Sequence, residues 1–245
     1  MLLHLLQTLA AHPALAEGVA PPGLLHPSEQ AQLDAFRVVK RRRDWLLGRW
    51  TAKHLIQQYL FATTATHHSL PAILILPASD GAPYASLLTT PVSEPASRLS
   101  LSISHSADRS FCALTDEPGA TVGADIERIE PREPGFVEQF FTPAEIAAVR
   151  AAPPDQRDML ITAIWSAKEA VLKALRVGLR ADTRHLTCTM ANVSALEGSW
   201  NPFLVEFNTP GFASFQPSQL TCWWQTMSDF ILTLACCQPP ATVSN

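Results

Sequence analysis

Residues 155–177, Asp155-Gln-Arg-Asp-Met-Leu-Ile-Thr-Ala-Ile-Trp-Ser-Ala-Lys-Glu-Ala-Val-Leu-Lys-Ala-Leu-Arg-Val177, read as one long amphipathic helix. Leu160, Ile161, Ile164, Val171, Leu172 and Leu175 form the buried stripe, Asp155 starts the element and Gly178 can end it. Trp165, Glu169 and Lys173 follow at intervals of four and therefore share another face. The middle of this helix also occurs earlier in the chain. Trp165-Ser166-Ala167-Lys168 repeats Trp50-Thr51-Ala52-Lys53 at an offset of 165 − 50 = 115, and Pro143-Ala144-Glu145 repeats Pro27-Ser28-Glu29 at 145 − 29 = 116. Two matches in register predict two similar halves, 1–119 and 120–245, meeting about a pseudo-two-fold axis with a boundary near Gly119.

The remaining pattern fits an α+β fold in which each half is a small, mostly antiparallel sheet packed with a long helix. In the first half, Ser28 is expected to cap a helix carrying Leu33, Phe36 and Val39, and a second helix runs from about Asp44 to Tyr59, with Arg49 and Lys53 on one face. Ile73 to Leu76 reads as a short strand. Arg98 to Ser104 alternates Leu99, Leu101 and Ile103 with Ser100, Ser102 and Ser104, the period of a half-buried strand, and Phe111 to Leu114 is its hairpin partner. Thr121 to Ile126 is another strand, and Thr142 with Pro143 starts a helix. Leu186–Met190, Phe203–Phe207, Cys222–Gln225 and Phe230–Cys236 complete the strands. The leucine-rich start, residues 1–18, is read as a short amphipathic helix rather than a secretory signal, because no Lys or Arg precedes Arg37.

Composition narrows the function. With 18 Lys+Arg against 22 Asp+Glu, the net charge of −4 gives no general attraction for nucleic acid or an anionic membrane, so any anion site must be local. No stretch has the ~20 continuous apolar residues of a membrane span. Five cysteines without a CxxC pair or zinc spacing argue against a disulfide framework and for a reducing, cytoplasmic setting.

Asp125 and Glu127 lie two apart on a strand, so both carboxylates project from one face while Ala124 and Ile126 take the other. Their mutual repulsion is easiest to explain if a cation sits between them, and oxygen donors suit magnesium. Taken alone, the pair reads more readily as a solvated strand end, and Glu169 with Lys173 as an ordinary helix pair. Ser104-His105-Ser106 offers hydrogen-bonding groups that could meet a phosphate, and Lys40 to Arg43 with Arg49 and Lys53 is the one strongly basic region.

Together, Ser-His-Ser (104–106), Gly-Ala-Asp-Ile-Glu (123–127), Phe-Phe-Thr-Pro-Ala-Glu (140–145) and Trp-Ser-Ala-Lys-Glu-Ala-Val-Leu-Lys (165–173) resemble the 4'-phosphopantetheinyl transferase superfamily. The likeness is nearest to its long, pseudodimeric, surfactin-synthetase-activating type, and it covers about Leu25 to Leu179. It implies transfer of the phosphopantetheine arm of coenzyme A to a serine of an acyl or peptidyl carrier protein of fatty-acid, polyketide or non-ribosomal-peptide synthesis, with release of 3',5'-ADP. It also implies magnesium, replaceable by manganese, held by Asp125, Glu127 and Glu169. Glu169, Lys173 and Asp125 become the catalytic set. Arg43, Arg49, Ser104, His105 and Lys173 become contacts to coenzyme A. Phe136, Phe140 and Phe141 are expected to be exposed and to dock the carrier protein, and the chain is expected to act as a monomer without nucleic acid or membrane.

Two positions depart from the family pattern: Gly81-Ala82-Pro83 stands where Gly-Lys-Pro is common, and Val177 where a basic residue often precedes the Gly178-Leu179 pair. Ala82 motivates an alternative, a non-catalytic homologue that binds coenzyme A or a carrier protein. A nucleic-acid module using Lys40 to Arg43 predicts steep salt dependence, and a magnesium phosphohydrolase predicts product from coenzyme A without any acceptor.

Overall fold

The structure, a computed structural model, describes residues 1–88, 99–178, 181–191, 197–208, 212 and 215–239. The chain divides into two compact units, Met1–Pro118 and Gly119–Asn245. Among the described residues, the first unit runs β1 (Leu2–Thr8), α1 (Pro13–Ala16), α2 (Pro27–Ala35), α3 (Val39–Thr64), β2 (Ile73–Pro77), β3 (Pro83–Leu87), β4 (Ser100–Ser106) and β5 (Arg109–Thr115). The second runs β6 (Thr121–Arg128), α4 (Phe136–Phe140), α5 (Pro143–Ala151), α6 (Arg157–Ala174), β7 (Leu186–Met190), β8 (Asn201–Phe207), β9 (Leu220–Met227) and β10 (Phe230–Cys237). All strand pairs are antiparallel, ordered β1-β5-β4 with a β2-β3 hairpin in one unit and β6-β10-β9-β8-β7 in the other. Each unit thus sets its opening strand beside its closing strand and its long helix in between, as a pseudodimeric α+β fold requires.

The long helices supply the cores. Ala52, Leu55, Ile56, Tyr59 and Leu60 of α3 pack with Leu99, Leu101, Cys112 and Leu114. Ala163, Ala167, Ala170, Val171 and Ala174 of α6 pack with Ile231, Ala235 and Cys237. Small residues on α6 let its backbone come close to the sheet.

The sequence repeat corresponds to one device built twice. A capping box closes the start of α2 with Glu29 and of α5 with Glu145. Each glutamate is then buried against a lysine of the long helix: Lys53 Nζ lies 2.5 Å from Glu29 Oε2, and Lys168 Nζ lies 2.9 Å from Glu145 Oε2. Lys53 also donates to the carbonyls of Leu24 and Leu70, and Lys168 to those of Thr183 and Leu186. The other carboxylate oxygen accepts a strand N–H, from Ile75 in one unit and Cys188 in the other. Every charge in this low-dielectric setting has partners, the condition under which burial is tolerated.

Several expectations change. Residues 1–18 do not form an amphipathic helix: Leu2–Thr8 is a strand, paired with β5 from Leu2↔Thr115 to Thr8↔Arg109, with Leu3 and Leu5 against the core. A leucine run has no period that separates helix from strand, and the available sheet edge decides. Helix α2 is capped by His26, whose Nδ1 accepts from Ser28 N, so Ser28 is not the cap. Phe36 lies past the end of α2, and Val39 starts α3 as an exposed residue. Lys53 is buried, so it adds nothing to the basic surface of Lys40 to Arg43. Ser102 and Ser104 are buried as well as Leu99 and Leu101, so β4 is covered on both faces. At the end of α6 it is Arg176, not Gly178, that takes the left-handed turn next to the helix, with Arg176 N–H donating to Lys173 O and Val177 N–H to Leu172 O. Arg98 and Leu179 lie outside the described residues.

Candidate active site

The candidate site of the second unit begins with a glycine. A Cβ built on Gly123 of β6 would lie 1.8 Å from the carbonyl oxygen of Ala170 and 2.7 Å from the amide nitrogen of Ala174. Strand and helix backbones therefore touch here, and Thr121 Oγ1 reinforces the approach with a 2.5 Å bond to Ala174 O. Gly123→Ala has to push α6 off β6. We expect it to cost about 3 kcal/mol, at the upper end of overpacking effects, read as a lower urea midpoint; an unchanged midpoint would show that the helix can yield freely.

This approach brings the α6 side chains onto β6. Lys173 Nζ donates to Asp125 Oδ1 at 2.7 Å and to Ala124 O at 3.1 Å. Ser166 Oγ donates to Asp125 Oδ2 at 2.8 Å, and Thr233, directly across from Asp125 on β10, lies 2.9 Å from Ser166 Oγ and bonds Ser166 O. Asp125 is thus buried with both oxygens engaged. Ser166 and Thr233 are positioning residues that sequence reasoning missed, although Ser166, Glu169 and Lys173 stand at helical spacings of three and four.

Glu127 accepts from Arg132 Nη2 at 2.9 Å. Burial and the Asp125 charge raise its pKa, against the pull of Arg132. Glu169 is pushed up to about 7, first by burial, then by Asp125, with Lys173 opposing and Glu127 adding. The three expected metal carboxylates therefore feel one another, although among the described residues they are not assembled as a three-residue metal group. A set of hard oxygen donors whose burial and mutual repulsion disfavour full ionisation fits a magnesium-sized cation.

In the first unit, Arg49 and His105 line one cavity of about 630 Å³ with Phe36, Trp45, Ile103 and Pro83. The Arg49 guanidinium lies 4.6 Å from the Trp45 ring centroid, its Nε is buried without a hydrogen bond among the described residues, and burial depresses its pKa. Lys40, Arg41 and Gly81 also line this cavity. Arg43 and Ser104 are not brought to its wall; Ser104 belongs to the opposite, buried face of β4.

The expectation of three exposed phenylalanines fails at Phe141, which is 1% exposed and packs with Val149, Leu160 and Ile164. Phe136 and Phe140 are half-buried, with ring centroids 5.2 and 5.1 Å from that of Trp165.

Residues 121–235 match the model of the 4'-phosphopantetheinyl transferase superfamily. A 4'-phosphopantetheinyl transferase of Bacillus subtilis is 35% identical over 31% of this chain and 33% of its own length. The transferase psf-1 of Bacillus pumilus is 27% identical over 62% of this chain and 58% of its own. The transferase AcpT of Escherichia coli O157:H7 is 30% identical over 65% of this chain and 67% of its own. The matched region thus spans about a third and somewhat over half of the two Bacillus proteins and two thirds of AcpT. The chain belongs to the 4'-phosphopantetheinyl transferase superfamily. Among its described residues no helix is long and apolar enough to cross a membrane, and its five cysteines are buried.

Proposed function

We propose that the protein transfers the 4'-phosphopantetheine arm of coenzyme A to a serine hydroxyl of an acyl or peptidyl carrier protein and releases 3',5'-ADP. The observation that supports this most is the convergence of Asp125, Glu169 and Lys173 where β6 and α6 touch. Asp125, Glu127 and Glu169 would hold magnesium, or manganese in its place. When bound, the metal supplies neutralisation of pyrophosphate charge. Lys173 places an ammonium beside Asp125, where it can meet a phosphoryl oxygen. Glu169 takes the proton of the serine hydroxyl, for which a carboxyl at about 7 is well matched to neutral pH. The serine oxygen forms its bond to the phosphorus that carries the pantetheine arm as the bond to the leaving 3',5'-ADP breaks. Arg49 and His105 are assigned to coenzyme A because they line one cavity with an aromatic wall; Arg43 and Ser104 keep that assignment on the family resemblance alone. The monomeric state and the cytoplasmic setting belong to the same proposal.

The test is intact mass spectrometry of several apo carrier proteins incubated with the protein, coenzyme A and magnesium, beside Asp125→Ala and Glu169→Ala. Addition of one phosphopantetheine arm, lost in both variants, is the expected result. Folded protein that modifies no carrier would favour the non-catalytic homologue, with Ala82 the first residue to change to lysine.

Carrier docking by Phe140 carries its own prediction. Phe140→Ala should raise KM for the carrier about fivefold and leave KM for coenzyme A unchanged, because a half-buried ring has surface left for a partner. Phe141→Ala should instead cost about 3–5 kcal/mol of stability. Equal losses of carrier and coenzyme A use in Phe140→Ala would place that ring in the core too.

Glu169 also makes a pH prediction. Its carboxyl moves from 4.5 unfolded to about 7 in the fold. Between these values the native state holds more protons than the unfolded one, so its contribution to stability declines as pH rises through that window and levels off above it. Cation binding to the ionised site should then release up to one proton near pH 6. Calorimetric titration of magnesium in two buffers of different ionisation enthalpy measures it, and zero release would show that Glu169 is already ionised.

A further inference from the structure

The loop after β6 is Ile129-Glu130-Pro131-Arg132-Glu133-Pro134-Gly135, with Arg132 directly after one proline and one residue short of another. Ile129 N–H is tied to Asp229 O and Phe136 N–H to Glu133 O. Prolines and these ties restrict the loop before Arg132 makes any contact, so presenting its side chain costs little further entropy. The Arg132 guanidinium reaches back to Glu127, Nη2 to Oε2 at 2.9 Å, and lies 5.3 Å from the centroid of the Phe136 ring. Its Nε is buried and makes no hydrogen bond among the described residues. The pair is only partly exposed, 18% for the arginine and 24% for the glutamate, so its Coulomb attraction is not fully screened. Yet the orphaned N–H leaves the arginine short of its best environment.

We infer that Arg132 is the resting counter-ion of Glu127, a positioning residue that a divalent cation must displace before Glu127 can join the metal site. The inference rests on the reading of Glu127 as a metal-site carboxylate. Asp125 is engaged by Lys173 and Ser166, both from α6, so the two strand carboxylates are held by separate cations. The Arg132 cation comes from the loop and is backed by an aromatic ring that can keep the guanidinium once Glu127 is withdrawn. Cation affinity in this protein is therefore set by a competition inside its own sequence, in addition to the number of carboxylates.

The experiment is calorimetric titration of the full chain with magnesium chloride and with manganese chloride, which needs neither coenzyme A nor a carrier. Arg132→Gln should bind either ion about five- to tenfold more tightly than the unsubstituted protein, the scale of one partly screened charge-assisted bond. Arg132→Met, which keeps the apolar stem over Phe136, should do the same and serves if the glutamine variant does not fold. Arg132→Lys should stay within about twofold of the unsubstituted protein. In a Glu127→Gln background, Arg132→Gln should change affinity less than about twofold, because the contested carboxylate is gone. Equal or weaker binding by both Arg132→Gln and Arg132→Met overturns the counter-ion role while leaving the metal site standing, provided Asp125→Ala abolishes uptake. No cation uptake by the unsubstituted protein or by any Arg132 variant overturns the metal reading and this inference with it.

Discussion

Glu169→Gln should lower the turnover of phosphopantetheine transfer by about 10²–10⁴-fold, the range of a lost general base, with coenzyme A binding changed only a few-fold. Glutamine keeps the shape of the side chain and removes both its proton affinity and its charge. The expectation rests on position: Glu169 stands between Ser166 and Lys173 on the face of α6 that meets β6, where burial first, then Asp125 and Glu127, raise its pKa. Single-turnover measurement under saturating carrier and coenzyme A reads the chemical step. A second readout separates base from ligand, since raising magnesium restores rate only where the defect is weak metal binding. If saturating magnesium returns Glu169→Gln to within tenfold of the unsubstituted rate, the proton must be taken by another group.

Lys168→Met should destabilise the second unit by about 3–5 kcal/mol, the cost of leaving one member of a buried ion pair alone. Lys168 is fully buried, and its ammonium serves Glu145 and the carbonyls of Thr183 and Leu186. Removing it leaves Glu145 charged, or forces it to take a proton, at the start of α5. The double variant Glu145→Leu with Lys168→Met should recover part of the loss, because no buried charge remains, although Thr142 N–H and Cys188 N–H lose their acceptor. Chemical denaturation followed by far-UV circular dichroism checks both. A single variant as stable as the unsubstituted chain would mean that water reaches the pair. The prediction bears on function as well, since Lys168 precedes Glu169 and the pair fixes the rotation of α6 that turns Glu169 and Lys173 toward β6.

Much of this arrangement is legible in the chain itself. The two-residue spacing of Asp125 and Glu127 determines that they share a strand face, and the spacing of Trp165, Glu169 and Lys173 determines a helix face, because backbone periodicity alone decides such local neighbours. The repeat of Pro-x-Glu and Trp-x-Ala-Lys is visible as well, but its meaning is not. Glu29 and Lys53 are 24 residues apart, and nothing local distinguishes a lysine on a solvated helix face from one that reaches a buried carboxylate. The same limit explains the first strand. Leu2–Thr8 carries no period that favours strand over helix, and its conformation is set by β5, more than a hundred residues later.

By itself, then, the sequence determines the family motifs, the two-half organisation and which site residues share an element, since these follow from order and short-range periodicity. Tertiary structure alone decides which elements touch. It is the backbone contact at Gly123 that carries Lys173 onto Asp125, the prolines and hydrogen bonds of the loop that bring Arg132 to Glu127, and close packing that takes Phe141 out of solvent while leaving Phe140 at its edge. Such contacts depend on long-range packing, where burial and partner availability outweigh the preferences of any single stretch of chain.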